Sequence, residues 1–200
     1  MSLQQHLVIF ARVPRLGAGK RRLAREAGDL TALRFQRLAT ARLRYRLAGD
    51  PRWTTWLAVT PPQMAQKKRA AGQAPVSVIP QGRGSLGARM AAAMAARSPG
   101  PVVIVGSDIP DIRARHVAEA FKALGRHDAV IGPAADGGYW LIGMRRRPVF
   151  LPPFQDVRWG TAYARADTVA NLHKQGQSVA FLEELNDVDT AADLRPDFWR

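Results

Sequence analysis

Short apolar β-type runs alternate with helical stretches along this chain, and no other feature limits its fold as much. The β-type runs are 7–11 (LVIFA), 53–59 (WTTWLAV), 76–79, 102–105 (VVIV), 129–131, 139–142 and 179–182. Between them, 31–47, 85–97, 115–124 and 161–174 read as helices, and Pro61-Pro62 opens a further short basic one. Gly49-Asp50-Pro51, Pro99-Gly100, Gly125 and Gly176 supply the stops, and Ser85 is placed to cap the second helix. The run 102–105 is uniformly apolar, as a central strand buried on both faces requires. Repeated β-then-α order predicts an α/β fold with a mostly parallel sheet and helices on both faces. The proline-rich piece 148–154 reads as a loop over the sheet, and with no repeat or linker the whole of 1–200 reads as a single domain.

Charge narrows the partners less than its size suggests. Thirty Lys and Arg against sixteen Asp and Glu leave a net of +14, a balance that favours nucleic acid, an anionic membrane surface or phosphorylated small molecules. A general compositional drift toward arginine and alanine explains the surplus equally well, so charge alone selects no partner. The absence of cysteine excludes disulfides and thiolate zinc sites. No apolar run reaches the length of a membrane span. The apolar start at 7–11 is shorter than a signal-peptide core and runs into Arg12, so it reads as the first strand of a cytoplasmic protein.

In open α/β sheets, ligands bind beyond the carboxyl ends of the strands, so the residues after each run carry the chemistry. After the first run, Gly17, Gly19 and Lys20-Arg21-Arg22 combine a flexible turn, a helix start and cations, which suits a phosphate chain or a basic surface turn. Neither a Walker loop nor G-x-G-x-x-G is present. After the third run, Gln81 to Met90 forms a glycine turn feeding a helix that carries Gly87 and Arg89. After the central run come Gly106-Ser107-Asp108, where a carboxylate at the strand end suits a hard cation such as magnesium. Asp136-Gly137-Gly138 between two β-type runs is a hairpin signal that also permits close ligand approach. Asp187 and Asp189 follow the last run; Asp189 or Thr190 is able to cap a short terminal helix, or one aspartate to supply a second metal carboxylate. The four histidines stand in no metal-spacing motif, and there is no G-x-S-x-G elbow.

Taken in order, FARVPRLGAGKRRLA, QGRGSLGARM, VVIVGSDIPDI, GPAADGGYWLIG, WGTAYARADT and NDVDTAADL resemble the successive blocks of the DUF2064 family. These are GT-A-like "glycosyltransferase A" proteins related to molybdenum-cofactor and 2-phospholactate guanylyltransferases. The resemblance implies a Rossmann-like GT-A fold with a mixed sheet, a bound nucleotide and Mg²⁺ or Mn²⁺. It implies that Asp108, with Asp187 or Asp189, holds the metal, and that Asp108, Lys20 and Arg89 carry the chemistry. It also implies that Ala11, Arg12, Pro14, Gly17, Gly19, Lys20, Gln81, Gly87 and Ser107 surround the nucleotide. Asp136, Gly137, Gly138, Tyr139, Trp159 and Thr161 then line the acceptor side. Arg12, Arg21 and Ala191-Ala192 depart from the family pattern, and the loss of a hydroxyl at Arg21 weakens the case for triphosphate binding.

The implied reaction is nucleotidyl transfer from an NTP to a small phosphorylated or carboxylate acceptor with release of pyrophosphate. Glycosyl transfer from an NDP-sugar is the alternative, and a basic nucleic-acid-binding module or an inactive relative is the reading of another class. Positioning and electrostatics carry most of nucleotidyl transfer, which agrees with the absence of an obvious histidine base.

Overall fold

A computed structural model describes residues 3–65, 76–147 and 149–199. Its centre is one seven-stranded sheet in the order β3-β2-β1-β4-β6-β5-β7. The strands are β1 (His6–Arg12), β2 (Thr54–Thr60), β3 (Ser77–Pro80), β4 (Val102–Gly106), β5 (Ala129–Pro133), β6 (Tyr139–Met144) and β7 (Val179–Phe181). Pairing is parallel at β1–β2, β2–β3, β1–β4 and β5–β7, and antiparallel on both sides of β6. The expected mostly parallel mixed sheet is therefore what the chain forms. Reversal of β6 follows from the tight Asp136-Gly137-Gly138 connection, since a hairpin of this length joins only antiparallel strands. It brings the amino end of β6 to the same edge as the carboxyl ends of the other six.

Alternating side chains on each strand feed two cores. On one face Leu7, Ile9, Val103 and Val105 meet α2 (Asp29–Ala48) and α4 (Ala114–Ala123). On the other, Val8, Val102 and Ile104 meet α3 (Leu86–Ala95) and α5 (Ala164–Lys174). Helix α2 folds as it does because Ala32, Phe35, Ala39, Leu43 and Leu47 recur at helical spacing and form its one buried stripe. Ser85 caps α3 as expected, its side chain accepting from the Ala88 N–H at 3.2 Å. A short helix α1 (Arg21–Ala27) precedes α2, the two separated by Gly28 at φ 87°. The basic helix expected after Pro62 falls largely outside the described residues. Among the described residues no helix is long and apolar enough to cross a membrane.

A third, smaller core joins the two ends of the chain. Leu23, Ala32, Phe35 and Ala39 pack with Val188 and Phe198. It fixes the segment 187–189 beside the start of α1. The short terminal helix that Asp189 or Thr190 was able to cap does not start there; among the described residues the one helical piece beyond β7 is a 3₁₀ turn at Pro196–Trp199. Instead Asp193 accepts the N–H groups of Asp189 and Thr190 at 3.0 and 2.7 Å. The Ala191 N–H, which a cap at Asp189 would take, donates to Glu26 at 2.8 Å, and the Asp189 carboxylate turns elsewhere.

Candidate active site

Asp108 stands just past the end of β4, where β1 sends its neighbours in opposite directions along the sheet. Such a reversal opens a crevice at the carboxyl edge. Two side walls close it. Arg15 to Ala18 form a turn with Gly17 at φ 71°, and Gly19 and Lys20 continue it at φ 81° and 42°. Lys20 is a non-glycine residue in the left-handed region, a conformation costing about 1 kcal/mol that persists only where its surroundings impose it. The opposite wall is the C-terminal segment, which follows β5 by the Leu182 and Leu185 N–H bonds to Ile131 and Pro133 carbonyls. It then crosses to β4, where the Val188 N–H donates to the Asp108 carbonyl at 3.3 Å.

This strained turn delivers the Lys20 ammonium into a ring of three carboxylates. Nζ lies 2.8 Å from Asp108, 2.9 Å from Asp187 and 2.7 Å from Asp189. Burial opposes the lysine's charge, but Asp108, Asp189 and Asp187 outweigh it and push its pKa up, so Lys20 is protonated at every physiological pH. Asp187 is pushed up, chiefly by burial and then by the neighbouring carboxylates against the pull of Lys20. Asp189 is held down because Lys20 and Arg22 overcome its burial. Asp187 and Asp189, one or other of which was expected near a metal, thus both stand against the Lys20 ammonium.

Asp108 is also a wall shared by two cavities. The first, of about 190 Å³, is lined by Phe10, Arg12, Gly19, Lys20, Gln36, Thr40, Gly106, Ser107 and Asp108. The second, of about 220 Å³, is lined by Asp108, Asp136, Gly138, Tyr139, Trp159, Thr161 and Asp187, with Leu86, Gly106, Ile109, Ala134, Trp140, Gly160 and Ala164. The expected nucleotide residues Arg12, Gly19, Lys20 and Ser107 thus fall in the first cavity. All the expected acceptor residues except Gly137 fall in the second. Gly137 lies behind it, its φ of 83° and the Ala162 carbonyl, 2.2 Å from where a Cβ would stand, holding the hairpin against the 159–162 loop.

Other expected residues serve the site from further back. Gln81 is buried; its amide donates to the Ala11 and Ala58 carbonyls at 3.2 and 3.1 Å and its oxygen accepts from Arg89 at 2.7 Å. It clamps the ends of β1 and β2 and aims Arg89. Arg89 is lowered in pKa by burial and then by the nearby Arg12 guanidinium, so two like charges adjoin the first cavity. Ala11 is buried, and Gly17 borders a separate hollow with Arg21 and Arg25. Gly87 belongs under the second cavity, because a Cβ there would meet Phe154 at 2.5 Å and Trp159 at 2.9 Å. Pro14 is half-buried on the loop after β1.

Sequence reasoning missed Gln36 and Thr40, which α2 presents to the first cavity. The available signal was their i, i+4 spacing as uncharged polar residues on a helix otherwise crowded with arginine.

Sheet order, crevice and carboxylate cluster together define the fold class of nucleotidyltransferases and GT-A-type transferases. The chain overlays a candidate nucleotide-diphospho-sugar transferase from Desulfovibrio desulfuricans G20 with a TM-score of 0.85 at 30% identity, over 100% of this chain and 91% of that one. CMP:2-keto-3-deoxy-manno-octonic acid synthetase complexed with CTP shares the fold at 15% identity and TM-score 0.60, over 95% of each chain. Rv0371c from Mycobacterium tuberculosis H37Rv in complex with manganese does so at 19% identity and TM-score 0.52, over 96% of each. The chain belongs to the DUF2064 family, described as an uncharacterized protein conserved in bacteria, whose model matches residues 14–161. No curated protein matches it.

Proposed function

We propose that the protein is a metal-dependent nucleotidyltransferase that seats an NTP in the first cavity with its phosphates at Lys20 and Asp108, and its second substrate in the other. The observation that carries this reading is the position of Asp108 on the wall common to both cavities, beside an ammonium. Arg12 and Arg89 repel one another until an anion lies between them, which favours phosphate on that side. The similar folds solved with CTP and with manganese agree with it.

The donor set fits a hard divalent cation. Asp108, Asp187 and Asp189 offer only carboxylate oxygens, and their three charges against one lysine leave a net of −2. Among the described residues no group of His, Cys, Asp and Glu is disposed to hold a metal by itself. The three oxygens are spread at ammonium distances of 2.7–2.9 Å, wider than the about 2.1 Å of magnesium, so phosphate oxygens are needed to complete the site. When bound, Mg²⁺ or Mn²⁺ supplies charge neutralisation at the nucleotide phosphates.

The chain's own residues do the rest. Lys20, once drawn from its carboxylates toward phosphate, neutralises charge developing on the bridging oxygen, and Arg89, aimed by Gln81, binds the distal phosphates. An oxygen of the second substrate attacks the α-phosphorus in line, the new P–O bond forms, and pyrophosphate leaves with the electrons of the broken one. A proton carried by that oxygen passes to Asp136, the one carboxylate of the second cavity that is not near Lys20. Glycosyl transfer from an NDP-sugar is the second reading, favoured by the 30% identity to the Desulfovibrio protein.

A thermal-shift panel of NTPs, NDPs and NDP-sugars with and without Mn²⁺ tests this. A metal-dependent shift with one NTP, lost in Asp108→Ala with the fold intact, is expected. A shift confined to NDPs and NDP-sugars replaces nucleotidyl by glycosyl transfer, and an undiminished shift in Asp108→Ala removes the metal assignment.

A further inference from the structure

The two cavities that meet at Asp108 have opposite character. The first carries Arg12 and Lys20. The second carries Asp108, Asp136 and Asp187 and, among the described residues lining it, neither lysine nor arginine. Two guanidinium groups stand near its rim, one spending a single N–H on a carbonyl of the wall and the other holding a carboxylate. Arg165 donates to the Ala134 carbonyl at 3.3 Å, and Arg158 holds Asp167 through Nε and Nη2 at 2.9 and 2.7 Å.

A phosphate or carboxylate group entering this space would meet no lysine or arginine in the lining, and the Lys20 ammonium behind Asp108 and Asp187 is already shared among three carboxylates. Even with Asp108 and Asp187 neutralised by a metal, the charge of Asp136 would remain, at the cost of like-charge repulsion. The Asp136 carboxylate uses Oδ1 to accept the Gly138 N–H at 2.8 Å, and among the described residues Oδ2 has no partner. That oxygen is an acceptor for a hydroxyl. In the same lining, Tyr139 and Trp159 meet edge to ring with centroids 6.3 Å apart, giving an apolar surface for a C–H face. About 220 Å³ is below the range of drug-sized pockets and admits one small group.

We propose that the second cavity takes an uncharged monosaccharide unit, and not the phosphorylated or carboxylate acceptor that the family resemblance implies. The inference rests on the nucleotide reading of the first cavity. The unit is either the sugar of an NDP-sugar, threaded past Asp108 from the first cavity, or a free sugar bound beside an NDP or NTP. Both present the same hydroxyls and the same lack of charge.

Isothermal titration in Mn²⁺ tests it, beginning with UDP, GDP, CDP and ADP to find the base. One arm then compares UDP-glucose with UDP-glucuronate, or GDP-mannose with GDP-mannuronate, pairs that differ only in a CH₂OH against a carboxylate. The other arm saturates the protein with the nucleoside diphosphate and compares glucose, glucuronate and glucose 6-phosphate. The neutral member should bind about tenfold more tightly than its anionic partner in at least one arm, as repulsion from the solvent-facing Asp136 carboxylate would impose. The arm that shows the preference tells donor sugar from free sugar. Asp136→Asn should close most of that gap by improving the anionic ligand, since an asparagine oxygen still accepts the Gly138 N–H and keeps the hairpin turn. Equal or tighter binding of the anionic ligand, no sugar-dependent gain in either arm, or an unchanged gap in Asp136→Asn overturns the inference. Failure of every nucleotide to bind, with or without Mn²⁺, overturns the nucleotide reading instead.

Discussion

Lys20 is a cation held by three carboxylates, and if the proposed metal shares that place, replacing the lysine by alanine should produce a protein that metal repairs. The loss begins with three carboxylate oxygens left facing one another, each having been within 2.7–2.9 Å of Nζ. Removing one partner of a fully buried ion pair costs about 3–5 kcal/mol. Here the lysine side chain is 10% exposed but the aspartates are 38, 28 and 44% exposed, so solvent screens part of the repulsion. Discounted for that, the expected loss is about 2–3 kcal/mol, or about 5–10 °C in melting temperature for a chain of this length. The local charge falls from −2 to −3, so Mn²⁺ alone should bind the variant more tightly than the wild type. At a hundredfold excess over the dissociation constant, that binding returns about 2.7 kcal/mol, close to the whole loss. Thermal melts and Mn²⁺ titrations of both proteins without nucleotide measure the two quantities. A variant that stays destabilised at saturating Mn²⁺, or binds the ion more weakly than the wild type, would show that the ammonium does not hold the place of a metal.

Gln81→Leu should cost about 2–4 kcal/mol in urea unfolding, because two buried carbonyls, Ala11 and Ala58, lose their donor; a cost below about 1 kcal/mol would refute the clamp. The same variant should weaken NTP binding more than nucleoside binding as Arg89 loses its anchor. Gly137→Ala places a Cβ 2.2 Å from the Ala162 carbonyl and should destabilise by about 2–4 kcal/mol, whereas Gly160→Ala, at φ 74° with open space around it, should cost only about 1 kcal/mol. Similar losses at the two positions would mean that the hairpin and the 159–162 loop are not in contact. His6 and His116 are both buried and both lowered in pKa, His6 by burial and then Arg146, His116 by burial against the pull of Glu183. Their unfolded forms titrate near 6.5 and bind more protons than the folded ones, so stability should be level above about pH 7 and fall below about 6.5. Replacing both by glutamine should flatten that fall; a wild-type protein equally stable at pH 7.5 and 5.5 would contradict it.

The strands were legible because β-branched runs such as 102–105 have no other reading, and the reversed strand because Asp136-Gly137-Gly138 leaves no room for a crossover. Helix α1 was legible only as a start at Lys20, since the seven residues from Arg21 to Ala27 carry too little periodicity to define an end. The site residues were found as fragments behind separate strands. That Lys20, Asp108, Asp187 and Asp189 share one point depends on Val188 and Phe198 packing against Phe35, a contact between chain ends that no local pattern encodes. Adjacency in a motif also conceals direction. Gln81, Gly87 and Arg89 occupy one block, yet Gln81 points inward, Gly87 underlies Trp159, and Arg89 alone turns toward Arg12.

The same geometry bears on the chain's charge. Of thirty basic residues only five are lysines, and many arginines are consumed internally. Arg146 caps the carbonyls of Arg97, Ser98 and Gly100, and Arg195 and Arg145 hold Asp111 and Asp128. Position 20 is different in kind. A compact ammonium can serve several carboxylates at once, as Lys20 does here by donating to Asp187 and Asp189 and pairing with Asp108. A planar guanidinium matches one carboxylate with two parallel bonds, and its width would spread the other two apart. Nor would it leave easily, because a bidentate pair holds its partner more firmly than three shared point contacts. In a chain whose basic positions are otherwise mostly arginine, a lysine at this point is what a site requires if its resident cation must give way to another.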